Sequence, residues 1–190
     1  MKSVLISIQP KWCHRIIDGE KKIEVRKTKP KLATPFKVYI YCSAGSYDWR
    51  KDIWATAYFP PSGECTNMSQ MVIGEFVCDC IIDIKPFGFD DIAEFEKQTC
   101  LTSADIVKYL NGFYGYGWHI SDLKIYEKPK ELSDFYVHKY DRRDYCDGCV
   151  HHECPVTEYP CCECFADERN RAYLYRPPQS WMYVEELQNV

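Results

Sequence analysis

The sequence is conspicuous first for what it lacks. No basic stretch followed by an apolar one opens the chain, and no run approaches the roughly 18 apolar residues that a membrane-crossing helix needs. Neither a secretory leader nor a membrane span is therefore expected, and the default compartment is the cytosol. There is no excess of positive charge. Twenty-four lysines and arginines face 28 acidic residues, a formal net charge of −4. A broad electrostatic grip on long duplex nucleic acid is excluded, and any polyanion site must be local. No internal repeat is visible, and strands do not alternate regularly with helices, which argues against a doubly wound sheet.

What is present is an ordinary globular composition, 46% hydrophobic and 27% charged over 190 residues, enough for one domain or one domain with an insertion. Aromatics reach 15%, and cysteines number 12. In a reducing compartment such cysteines favour metal binding or redox chemistry over stable disulfides.

Along the chain, Val4 to Ile8 reads as a strand ending at Pro10, which suits the first position of a short helix closed by Gly19. Ile23 and Val25 alternate with Lys22, Glu24 and Arg26, the pattern of a strand with one charged face. Phe36 to Tyr41 reads as a third strand. Residues 42–71 read as a long loop, with a short helix near Trp49 to Trp54. Val72 to Ile84 reads as one strand carrying Phe76, Cys78, Cys80 and Ile82 on one face. Asp90-Asp91 and Thr102-Ser103-Ala104-Asp105 look like helix starts, the second with the acidic residue of a capping box. Gly115 to Tyr126 returns to strand with Pro129 as its stop, and Trp181 to Glu185 closes the chain as a strand. Several short strands with few short helices give an α+β class and favour a small β-barrel with flanking helices.

Two constellations carry chemistry. In Gly19-Glu20-Lys21-Lys22-Ile23-Glu24-Val25-Arg26, strand alternation points Glu24 and Arg26 the same way, and the glycine turn can bring Lys21 to them. Two cations around a carboxylate can hold a phosphate, read a base edge or tune a lysine for proton transfer. The same spacing also suits a solvated edge strand with a surface ion pair. The second constellation is Cys146-x-x-Cys149 and Cys161-x-x-Cys164, separated by 11 residues. Cys154 is a substitute ligand, and Cys162, His151 and His152 are spare donors. Two such knuckles complete the tetrahedral thiolate set that Zn(2+) accepts, a closed and therefore structural site. An iron–sulfur cluster and reduced, metal-free cysteines are the alternatives. Lys139, Arg142, Arg143, Arg169 and Arg171 flank this segment and could touch phosphates, while the acids among them favour a solvated surface.

The motif Gly19-x-Lys21-x-x-Glu24-x-Arg26 after a short strand and helix resembles the signature of the ASCH domain, a branch of the PUA-like superfamily. Val38 to Cys42, Val72 to Phe76, Gly117 to Leu123, Lys128 to Phe135 and Pro177 to Glu185 resemble further stretches of a bacterial or phage subgroup. The resemblance spans residues 1–137 and 174–187 and leaves 138–173 as a cysteine-rich insertion. It implies a PUA-like barrel with a cleft beside the charged turn, binding RNA or a modified nucleoside through Lys21, Glu24 and Arg26, with Trp118 and His119 near that cleft. Trp118 and His119 are adjacent on a strand and face opposite ways, so a packed tryptophan and a satisfied histidine are the plainer reading. Trp49 and Trp54 suit either base stacking or anchoring of the loop. One ASCH branch hydrolyses the amide of N4-acetylcytidine with a lysine at the position of Lys21 and a threonine at that of Glu24. Glutamate here offers no hydroxyl nucleophile, so a hydrolase reading would use Lys21 and Glu24 as an acid/base pair acting through water. Three functions follow as expectations: a binder of RNA or a nucleoside, a hydrolase on a modified nucleoside or RNA, and an adaptor that contacts a protein through its zinc segment.

Overall fold

The computed structural model describes residues 2–44, 57–58, 66–85, 92–112, 114–139 and 171–187. In chain order these form β1 (Lys2–Ile8), α1 (Pro10–Ile17), β2 (Ile23–Arg26), β3 (Phe36–Cys42), β4 (Ala57–Tyr58), β5 (Thr66–Asn67), β6 (Val72–Cys78) and β7 (Ile81–Ile84). Then come α2 (Ile92–Thr99), α3 (Ser103–Leu110), β8 (Gly115–His119), β9 (Ser121–Lys130), a 3-10 turn at Leu132–Asp134, β10 (Tyr136–His138), β11 (Arg171–Tyr173) and β12 (Trp181–Glu185). The described residues are α+β, dominated by sheet with three short helices.

A five-stranded sheet runs β12-β1-β3-β6-β9, and a three-stranded sheet runs β2-β8-β7. Only β1 and β3 pair in parallel in the larger sheet; its other ladders are antiparallel. The expected barrel is not closed by these ladders; beside the two larger sheets the described strands form two two-stranded ones, β4-β5 and β10-β11. Both faces of β1 and β3 are buried. Val4, Ile6, Ile8, Val38, Ile40 and Cys42 point into one apolar cluster, whereas Leu5, Tyr39 and Tyr41 point into another covered by Leu132, Phe135 and Leu174. This is the period-two alternation of a strand with apolar residues on both sides, which explains the unbroken hydrophobic runs. In the small sheet Ile23 and Val25 pack with Phe95, Ile106 and Leu110 of α2 and α3.

Two single strands expected from sequence are each split. Val72 to Ile84 breaks at Asp79-Cys80, which passes the chain from the large sheet to the small one, so Cys80 is exposed although Cys78 is buried. Gly115 to Tyr126 breaks at Ile120, with Asp122 in the left-handed region at φ 45°, and the two halves again belong to different sheets. Pro129 does not end its strand. Among the described strands β9 lies at the sheet edge and pairs only with β6, a position in which a strand tolerates a proline. The capping box at Thr102 and Asp105 is formed as the sequence indicates. Trp49, Trp54, Arg142, Arg143, Arg169 and the cysteines from Cys146 to Cys164 lie outside the described residues.

Candidate ligand cleft

The helix α1 begins with proline at its first position and ends at Gly19, whose φ of 72° is costly for any side chain. The turn is fixed by the Glu20 and Lys21 N–H groups donating to the Arg15 carbonyl, both at 2.9 Å. It delivers Lys21 to the C-terminal end of α2. There the Lys21 ammonium donates to the Thr99 carbonyl at 2.7 Å, and the Lys22 backbone N–H donates to Gln98 at 2.8 Å. Terminal helix carbonyls lack partners within the helix and carry partial negative charge, so a cation is favoured at this point.

Strand β2 supplies the other two members. Its alternation turns Ile23 and Val25 to α2 and α3 and sends Glu24 and Arg26 to the opposite face. Glu24 is bracketed: one carboxylate oxygen lies 3.4 Å from Lys21 Nζ and the other 3.0 Å from Arg26. Arg26 reaches across to the large sheet, donating to the Ser7 carbonyl of β1 at 2.7 Å and to the Ser180 hydroxyl at 3.3 Å. Lys21, Glu24 and Arg26 are 2%, 7% and 6% exposed, so the surface ion pair that the spacing also allowed is not what forms. Charges this deep are retained only when paired and hydrogen-bonded.

The three side chains line one cavity of about 720 Å³. Its walls include Trp12 and Lys11 of α1, Asp105 and Tyr109 of α3, and the segment Pro177-Pro178-Gln179. That segment is tied to β1 by the Ser7 hydroxyl, which donates to the Pro178 carbonyl at 2.7 Å. Lys11 and Lys21 stand 4.5 and 5.3 Å from the Trp12 ring centre. Burial pushes the Tyr109 phenol above its ordinary value against the pull of the adjacent Arg26. Arg26 Nε is buried and has no hydrogen-bond partner among the described residues, although other donors of the same guanidinium are well used.

Trp118 and His119 lie elsewhere. Trp118 is fully buried, with its ring 5.9 Å from both Phe36 and Trp181, and is a core residue of the joint between the sheets. His119 is partly exposed at the far end of β8, and its Nδ1 lies 2.7 Å from Asp79 Oδ1. This contact with the imidazole holds the Asp79 carboxyl below its usual range. Neither residue lines the cavity. Conversely, Trp12 reads in the sequence only as part of an apolar stripe with Cys13, Ile16 and Ile17, and nothing local marks Tyr109 or Pro177 to Gln179. These reach the cleft through the packing of α1, α3 and the approach to β12. Among the described residues, no three histidine, cysteine or acidic side chains converge as a metal set.

The fold is that of an ASCH domain. The crystal structure of ASCH from Zymomonas mobilis superposes with a TM-score of 0.55 over 97% of this chain and 88% of that one, at 14% identity. A variant of the same protein gives 0.54 over 98% and 92%, also at 14% identity. No family model and no curated protein matches the sequence. No helix among the described residues is long and apolar enough to cross a membrane.

Proposed function

We propose that the protein binds RNA or a modified nucleoside, taking one base into the cleft walled by Lys21, Glu24 and Arg26. The observation that carries this reading is the convergence of those three buried side chains on a single cavity of about 720 Å³, within the range of small-molecule sites. Glu24 acts as a brace that orients the two cations and offsets part of their charge. Trp12 and Tyr109 offer ring surface, and Lys21 and Arg26 offer donors to a base edge or its sugar. A hydrolase using Lys21 and Glu24 is the second reading, favoured by a buried lysine–carboxylate pair in contact at 3.4 Å. Against it stands the engagement of both Glu24 oxygens by cations, which directs them at the protein and away from a water. Trp118 and His119 have no part in the proposed cleft.

Calorimetric titration with a panel of nucleosides, including N4-acetylcytidine, tests the proposal. Arg26→Lys cannot reproduce the planar fork and is expected to weaken binding at least about tenfold while the variant stays folded. Undiminished affinity in Arg26→Lys would overturn the cleft. Mass spectrometry of the same mixtures separates the two readings: turnover that is lost in Lys21→Ala would establish the hydrolase instead.

The insertion at 138–173 is proposed to hold structural zinc through Cys146, Cys149, Cys161 and Cys164, with Cys154 as substitute. The support is the paired CxxC spacing. Its expected signature is about one equivalent of zinc in protein purified without chelator, and a metal-free preparation would remove it.

A further inference from the structure

Val4 to Ile8 is apolar except at Ser7, and Ser7 stands where β1 meets the cleft. It follows Ile6, the last residue of β1 in register with β12, and it lines the cavity. Its three polar groups are all committed. The N–H donates to the Ser180 carbonyl at 2.9 Å, the hydroxyl donates to the Pro178 carbonyl at 2.7 Å, and the carbonyl accepts from Arg26 Nη2 at 2.7 Å. Two of these bonds hold the segment that walls the cleft, and the third holds the cation inside it.

That wall needs donors from outside. Pro177 and Pro178 have no N–H, so over these positions the segment cannot tie itself to the body of the protein through its own backbone donors. Tyr175, Arg176, Pro177 and Gln179 are exposed. The flanking anchors are the buried Leu174, whose N–H donates to the Phe135 carbonyl at 2.9 Å, and Trp181, which packs on the main core. Between them Ser7 and Arg26 supply ties, Arg26 Nη1 reaching the Ser180 hydroxyl at 3.3 Å. The fixed φ of two consecutive prolines makes Pro177-Pro178-Gln179 a stiff strap. The hydroxyl bond at Pro178 therefore governs how far the strap stands from β1, and the same serine holds Arg26 through its carbonyl.

We infer that Ser7 is a positioning residue of the cleft: it fixes Arg26 and the Pro177-Pro178-Gln179 strap relative to one another, and thereby sets the size of base that the cleft admits. The inference rests on the proposed base-binding cleft and adds what governs its selectivity. Ser7 acts through the strap and the guanidinium, its own hydroxyl hydrogen being spent on Pro178.

Ser7→Ala deletes the hydroxyl bond alone, and Ser7→Thr keeps it. Two measurements on the full-length protein read the result. The first needs no ligand. Backbone amide relaxation by NMR is expected to give Gln179 and Ser180 order parameters of about 0.85, typical of rigid backbone, in wild type and Ser7→Thr, and clearly lower ones in Ser7→Ala. The second is calorimetric titration with cytidine and adenosine, a small and a large base. In Ser7→Ala the affinity for the better bound of the two falls about threefold or more, and the ratio between them moves toward one, because a loosened wall fits neither base closely. Ser7→Thr keeps the wild-type ratio.

A uniform loss that leaves the ratio unchanged would show a merely supporting role and overturns the inference. So do wild-type order parameters in Ser7→Ala, a Ser7→Thr protein that behaves like Ser7→Ala, and a wild-type protein that binds both nucleosides equally and has no selection to lose. The two claims separate through Arg26→Lys. If that variant loses nucleosides while Ser7→Ala leaves their ratio as it was, the cleft stands and selection by Ser7 falls. If wild-type protein binds neither nucleoside, the cleft falls and the selection with it, even where the order parameters show that Ser7 holds the strap.

Discussion

At the scale of single residues, Glu24 is the group on which the cleft depends. Its carboxylate stands between Lys21 and Arg26, all three under a tenth exposed, and each oxygen faces one cation. Glu24→Gln preserves shape and removes the charge, leaving two cations near each other in a region shielded from water. Breaking a buried pair by removing one partner costs about 3 kcal/mol or more, because the survivors remain desolvated and unpaired. Urea unfolding of Glu24→Gln is therefore expected to show a clearly lowered midpoint, and an unchanged one would mean that solvent reaches the trio. Strand alternation made the shared face of Glu24 and Arg26 legible in the sequence, and Gly19 marked the turn that returns Lys21. Their burial was not legible. It arises because the Ser180 region and the end of α2 close over them, and those segments lie 154 and 78 residues from the cations they touch. Trp12 and Tyr109 were hidden for the same reason: each sits in a helix where an aromatic serves core and cleft equally well.

At the scale of elements, strands that bury both faces announce themselves as runs, and helices as caps. β1, β3 and β12 could be read from Val4 to Ile8, Phe36 to Tyr41 and Trp181 to Glu185, and α3 from its capping box. The two strands read as continuous were not, and the reason is the same in both. Strand-like residues resume at once after Asp79-Cys80 and after Ile120, because the chain passes directly from one sheet to the other. Periodicity registers burial, not which sheet a residue joins. The cysteines show the same limit. Cys13, Cys42 and Cys78 are buried small residues, and burial pushes the Cys78 thiol up to about 12, as expected of core thiols; Cys80, two residues on, has turned to the surface. The prolines divide likewise. Pro10 starts a helix as its fixed φ suggests, whereas Pro129 stays within a strand that lies at the sheet edge among the described strands, where a proline is tolerated.

At the scale of the whole molecule, the cleft exists because two sheets meet. Arg26 leaves the small sheet to bond with Ser7 of the large one, and a short distance away Trp118 of the small sheet packs against Phe36 and Trp181 of the large one. The polar joint faces the cavity and the aromatic joint faces the core, so the proposed recognition and the stability of the seam rest on different residues. This separation is testable at Trp118. Truncation to alanine removes a fully buried indole and is expected to cost about 4 kcal/mol. Trp118→Phe costs much less, since a phenyl ring retains most of the contact and also eliminates a buried indole N–H that has no hydrogen-bond partner among the described residues. Because Trp118 does not line the cavity, Trp118→Phe should leave nucleoside affinity within about twofold of wild type at temperatures where both are folded. A large loss of affinity in a well-folded Trp118→Phe protein would show that the aromatic joint sets the positions of Lys21, Glu24 and Arg26, and that the seam acts as one unit.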